Sequence, residues 1–220
     1  MTDTPADTVL DDARDHVRPA GERSPLMDAA WSYIEPGNME DFTADDWAVM
    51  NAQRVPYLAE EKAKAALQML AVQKDAPTFG YQINNYEHCL QSATLAMRDG
   101  QDEETVVVSL FHDLGFVTCN ETHGLFAAEF LRPYVSERNA WMLERHMIFQ
   151  ALHCPTYPGV DTQAREKWRG HPHFEWAAEW VRKYDIGTIA AEVENAPLSA
   201  FEPMVQRVFA RPPTEAPLPD

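Results

Sequence analysis

Asp102-Glu-Glu-Thr-Val-Val-Val-Ser-Leu-Phe-His-Asp-Leu-Gly115 is the stretch on which the fold turns. Acidic residues open it, as suits the positive end of a helix, and Gly115 closes it. Between them Val106–Phe111 is apolar except for Ser109, so the helix has no solvent face and belongs inside a protein. His112 and Asp113 end this buried helix, where two titratable groups need a partner or a metal. Adjacent residues on a helix do not face each other. A metal at the helix end can still collect both, because the chain turns at Gly115. The other reading of the pair is a buried His–Asp hydrogen bond.

Around this stretch the pattern is helical almost throughout. No run of Val, Ile and Thr alternates with polar residues over a strand's length. Thr43 reads as the N-cap of a helix with an acidic first turn, and a longer helix is expected from Pro56 to Val72, ended by the break at Lys74–Gly80. Further helices are expected at Asn85–Arg98, stopped by Gly100, at Asp102–Leu114, at Thr122–Leu131 before Pro133, and after the cap Ser136. Phe174–Tyr184 and Phe201–Phe209 complete the set. The expected fold is an all-α bundle of about six to eight helices. Residues 1–24 read as a mobile acidic tail, 25–211 as one helical domain, and 212–220 as a Pro-rich tail.

The helices carry a series of histidines and carboxylates. His88 lies on an amphipathic helix beside Leu90 and Ala93; alone, it reads more readily as a core histidine than as a ligand. His123 sits in the first turn of its helix, where a capping role is the alternative. His146 is in mid-helix, and His153 falls on about the same face one heptad later; of the two, His146 is the preferred ligand. Asp185 follows the apolar stripe of Ala177, Trp180, Val181 and Tyr184, with an ion pair to Arg182 or Arg169 as its alternative. Taken together, inward imidazoles and carboxylates from several helices are how metal sites in bundles are built. Iron, manganese and zinc all accept this donor set, and a carboxylate next to a histidine can bridge two ions.

Composition removes other classes. The 220 residues carry a net charge of −17, which argues against nucleic acid and anionic membrane surfaces as partners. Cys89, Cys119 and Cys154 form no close pair, so neither a disulfide framework nor a zinc knuckle follows, and a reducing cytoplasm is the expected compartment. No apolar run opens the chain and none reaches membrane-spanning length. No Gly-rich phosphate loop or nucleophile elbow is present. Oligomeric state is not legible.

The series His88, His112-Asp113, Asp185 resembles the H…HD…D pattern of the HD-domain superfamily. With His123 and His146 added, it is similar to the mixed-valent diiron oxygenases that cleave organophosphonates, and more distantly to myo-inositol oxygenase. The segments that carry the resemblance are Tyr86–Ala93, Leu110–Gly115, His123–Leu131 and Trp180–Asp185, within Phe79–Ile189. The resemblance implies an HD-type helical domain with two irons: one held by His88, His112 and Asp185, the other by His123 and His146, and Asp113 bridging them. It implies that Fe(III) binds a small-molecule substrate, that Fe(II) activates O2, and that a substrate C–H bond is oxidised. Where those enzymes carry a Tyr and a displaceable Glu, this chain has Phe79-Gly-Tyr81, which makes Tyr81 the candidate lid or labile ligand. Phe116 and Gln150 stand where the resemblance places a His and a Lys that contact phosphonate. These changes turn the expectation toward a less anionic hydroxylated or amino compound, with Phe116, Gln150 and Arg169 as substrate contacts. The commonest HD-domain activity, metal-dependent phosphate hydrolysis, is the alternative. It would want cations near the metals, for which Arg145, Arg169, Arg182 and Lys183 are the candidates. A helical binding module without catalysis is the third reading.

Overall fold

A computed structural model of the protein describes residues 30–214. The acidic tail expected at 1–24 and most of the Pro-rich tail lie outside the described residues. Seven α-helices and several single turns make up the described chain, which contains no strand. The helices are α1 (Ala44–Ala71), α2 (Asn85–Arg98), α3 (Glu103–Phe111), α4 (His123–Leu131), α5 (Glu137–Gln150), α6 (Phe174–Trp180) and α7 (Glu202–Phe209). No helix among the described residues is long and apolar enough to cross a membrane.

The chain divides into two compact units at Tyr57/Leu58. In the first, Thr43 and Asp46 form a reciprocal cap: the Thr43 backbone N–H donates to Asp46 Oδ2 at 2.8 Å, and the Asp46 N–H reaches back to Thr43 Oγ1 at 3.3 Å. Gln53 holds the backbone of Ser32 through its amide at 2.7 and 3.0 Å. The sequence suggests separate helices starting at Thr43 and Pro56, but one helix runs through both positions. Pro56 lies inside α1, where its missing N–H leaves the Ala52 carbonyl without its helical donor.

The second unit contains the candidate site. Its helix starts match the sequence signals because side chains satisfy the free N–H groups there, whereas the helix expected to reach Leu114 ends at Phe111. Asn84 caps α2, Asp102 caps α3 by accepting from Thr105 N–H at 2.8 Å, and Ser136 caps α5. Gly100, at φ +71°, makes the left-handed turn that reverses the chain between α2 and α3. Helices α2 and α3 pack together, as do α4 and α5, and α7 and α6 close on α3 and α5 respectively. Between them lie Leu70, Leu110, Phe111, Leu131, Met142, Leu143, Phe149, Trp180 and Phe201, all fully buried. Each such side chain contributes about 1.5–3 kcal/mol of burial. Val106, Val107 and Val108 are all buried, so α3 is enclosed on every side, as its composition requires.

Helix α6 does not continue as an α-helix to Tyr184. At Val181–Asp185 it widens into a π-helical turn, closed by Ile186 N–H donating to Val181 O at 3.0 Å. The extra residue rotates Asp185 relative to the stripe of α6. Such bulges occur frequently at functional sites.

Candidate metal centre

Six residues from five places in the chain meet at the ends of α2, α3, α4, α5 and the π-helical turn. His88, His112, Asp113, His123, His146 and Asp185 are all buried. They fall into two groups, each with donor atoms within metal-sharing distance: His88, His112 and Asp185 in one, and Asp113, His123 and His146 in the other. His88 Nε2 and His112 Nε2 lie 3.0 Å apart, and so do His123 Nε2 and His146 Nε2. Asp113 touches both groups. Its Oδ1 is 3.0 Å from His123 Nε2 and 3.2 Å from His146 Nε2, and its Oδ2 is 3.6 Å from His88 Nε2. Asp185 Oδ1 lies 3.6 Å from His88 Nε2 and 3.8 Å from His112 Nε2.

The rings are oriented from behind. Each Nδ1–H has a backbone carbonyl as acceptor: Thr188 O at 2.8 Å for His88, Ser109 O at 2.9 Å for His112, Asn120 O at 2.7 Å for His123 and Leu143 O at 2.7 Å for His146. A proton on Nδ1 leaves Nε2 as a bare lone pair. Two Nε2 atoms 3.0 Å apart cannot both stay bare: a proton or a metal cation between them removes the repulsion of their lone pairs. Ligands about 2.0–2.1 Å from one metal and at right angles are about 3 Å apart. The donor set and its spacing therefore fit a pair of metal ions.

The electrostatics of the protein residues alone point the same way. Burial disfavours a charged His112, but Asp113 and Asp185 beside it overcome this and push its pKa up to about 9. Burial and the neighbouring His112 lower His88, whereas His123 is raised against burial by its bond to Asp113. Burial opposes ionisation of both carboxyls, yet His112, His123 and His146 hold Asp113 well below the usual carboxylate range, and His112 draws Asp185 down too. Buried negative charge is thus matched by protons on imidazole, the place a metal cation would take.

A cavity of about 350 Å³ opens onto this cluster. His88, Asp113, His123 and Asp185 face it, and His112 and His146 sit behind at zero exposure. Phe79, Tyr81, Phe116 and Gln150 line it as well. Phe79 stacks obliquely on Phe116 at 6.2 Å and has a left-handed backbone, φ +53°, so the Phe79–Tyr81 turn is held in a conformation disfavoured for a non-glycine residue. No Lys or Arg is among the described residues that line the cavity.

One sequence reading, Arg169 as a substrate contact, is corrected by this geometry, and two alternatives left open by the sequence are narrowed. His153 lines the cavity but lies outside both donor groups, which leaves the position to His146. Arg169 does not reach the cavity: its guanidinium is engaged by Glu166 at 2.8 Å and lies over Phe174. Asp185 takes Gln150 as its partner, and neither arginine.

Three residues that hold the site in place carry no motif. Asn85 Nδ2 donates to Asp113 O at 2.9 Å. Thr188 accepts from His88 and sends its hydroxyl back to Asp185 O. Gly124 is where α4 crosses α5; a Cβ there would sit 2.8 Å from Leu143 O and 3.1 Å from the His146 ring. The sequence signal for this last residue is a glycine in the first turn of an apolar helix, which costs helix stability unless close packing requires it.

No protein-family model matches the chain. It is similar to the [1-hydroxy-2-(trimethylamino)ethyl]phosphonate dioxygenase (glycine-betaine-forming) of Leisingera caerulea, with 29% identity over 165 residues, covering 61% of this chain and 83% of the relative.

Proposed function

We propose that the protein is a non-haem diiron oxygenase that oxidises a C–H bond of a small polar metabolite. The observation that carries this reading is the twofold donor set. His88, His112 and Asp185 would hold one ion, His123 and His146 the other, and Asp113 would bridge them. Similarity to a dioxygenase supports oxygenase over hydrolase, and so does a cavity with no Lys or Arg on its described wall, which gives a phosphate ester no protein cation to meet.

When bound, the irons supply O2 activation and a Lewis-acid seat for the substrate. The chain's residues do the rest. The four backbone carbonyls accept from Nδ1 and so keep each Nε2 aimed at the ions. Burial of His112 and His146 keeps water from the rear of the site. Phe79, Tyr81 and Phe116 offer the substrate an aromatic wall at the mouth, and Tyr81, at 57% exposure, is free to rearrange as substrate enters.

The test uses protein purified without air and loaded with iron. Elemental analysis should give about two irons per chain. Hydroxyl- or amino-bearing candidates with an adjacent C–H should drive O2 consumption, with label from heavy oxygen gas appearing in the product. Rapid anaerobic release of phosphate from nucleotides or generic phosphate esters would overturn the reading in favour of a metal-dependent phosphohydrolase.

A further inference from the structure

Gln150 ends α5 one helical turn beyond His146, so the two side chains leave the same face of the helix. His146 goes to Asp113 and His123. Gln150 goes the other way: its Nε2 donates to Asp185 Oδ1 and Asp185 Oδ2, each at 2.9 Å. One amide NH2 group thus serves both oxygens of a single carboxylate. The opposite amide orientation would set an oxygen against two carboxylate oxygens, so the donor assignment is fixed by chemistry. Asp185 is buried and sits in the π-helical turn, with no Lys or Arg paired to it among the described ion pairs.

We infer that Gln150 is a positioning residue for Asp185: it fixes the plane of the carboxylate while leaving its negative charge whole. This rests on the two-metal reading above. A neutral donor leaves the carboxylate its full charge for a metal, where a cation paired to it would offset part of that charge. Helix α5 then serves both halves of the centre, with His146 as a ligand in one and Gln150 as the support of a ligand in the other. The two roles are physically separable, and so are their losses.

The experiment is an anaerobic Fe(II) titration of the full chain, resolving the tighter and weaker sites, on the wild type and on Gln150→Leu, Gln150→Glu, Asp185→Ala and the double variant Gln150→Leu/Asp185→Ala. Loss of a side chain that orients a metal ligand typically costs about 10–100-fold in metal affinity. Gln150→Leu should show a loss of that size at one site and leave the other unchanged. Gln150→Glu, which sets a carboxylate against Asp185, should lose more. On the Asp185→Ala background the Leu substitution should add nothing, since its only client is gone. The melting temperature of the metal-free variants separates this from general damage: a merely structural role would lower it and weaken both sites together. If Gln150→Leu keeps both Fe(II) affinities, the inference is overturned. An equal drop with and without Asp185 overturns it as well. A wild type that binds no iron would instead bring down the two-metal reading itself.

Discussion

Asp113 is the residue on which the centre depends most. Its Oδ1 lies within 3.2 Å of two imidazoles in one group, and its Oδ2 approaches His88 in the other. His123 shows no such second connection: among the described polar contacts its Nε2 meets Asp113 and His146. The two residues therefore differ in what their removal does, although both are buried ligand candidates. Asp113→Ala should leave iron-reconstituted protein with close to no metal, whereas His123→Ala should retain about one ion per chain. Metal content of the two variants after identical reconstitution checks this, and equal retention would show that Asp113 does not bridge. Asp113 and His123 were both legible in the sequence, because a carboxylate and an imidazole on apolar helices have few reasons to be inside. Gln150 was legible as a cavity residue but not as the partner of Asp185. That contact spans 35 positions and depends on the rotation introduced by the π-helical turn.

At the scale of elements, one acid outside the candidate centre joins three segments. Glu104, in the first turn of α3, accepts from the backbone N–H of Ser136 at 2.7 Å and from Asn139 Nδ2 at 2.8 Å, and it pairs with Arg211 beyond the end of α7. Asn139 passes the link on, accepting from Trp176 Nε1 in α6 at 3.0 Å. Burial resists ionisation of Glu104, but these donors outweigh it and hold its pKa below the ordinary value. A depressed carboxyl contributes stability that is whole above the unfolded pKa of about 4.5 and is lost as pH falls through the folded value. Glu104→Gln keeps the shape and gives up the charge, so it should destabilise the metal-free protein by about 1–3 kcal/mol near pH 7. Urea denaturation of both proteins checks this. The gap should shrink as pH falls below about 4.5, where the unfolded carboxyl takes up its proton, and close below the folded value, where the native carboxyl is neutral as well. A gap that is constant over that range would mean the charge is not what Glu104 contributes. The sequence supplied the cap Ser136 and the acidic start of α3 as separate local signals. That the two ends meet is a tertiary fact, which local signals do not carry.

For the molecule as a whole, the all-α class and the helix ends of the second unit were readable because caps, stops and apolar faces are local. The run through Pro56 was not, since a proline reads as a helix start wherever nothing else in the window shows that the helix is already under way. Nor was the fate of Arg169, whose pairing with Glu166 in the next turn removes it from the cavity. Bringing His88 and Thr188 together across 100 positions is likewise the work of the packed core. That core buries two carboxylates and four imidazoles together, and this has a consequence for pH. Without metal, the centre balances its charge with protons, the clearest being on His112, whose pKa is raised from 6.5 to about 9. A raised histidine contributes stability that is complete below the unfolded pKa and is lost as pH rises through about 9. A metal ion must displace that proton to reach Nε2. Loading Mn(II) or Fe(II) at pH 7 without air should therefore release protons to solvent, and metal affinity should climb with pH until it levels off near the His112 value. An indicator dye in weak buffer reads the release, and titrations across pH 6–9 read the affinity. If binding were independent of pH over this range, His112 would already be neutral in the metal-free protein, and the proposed exchange of proton for metal would be wrong.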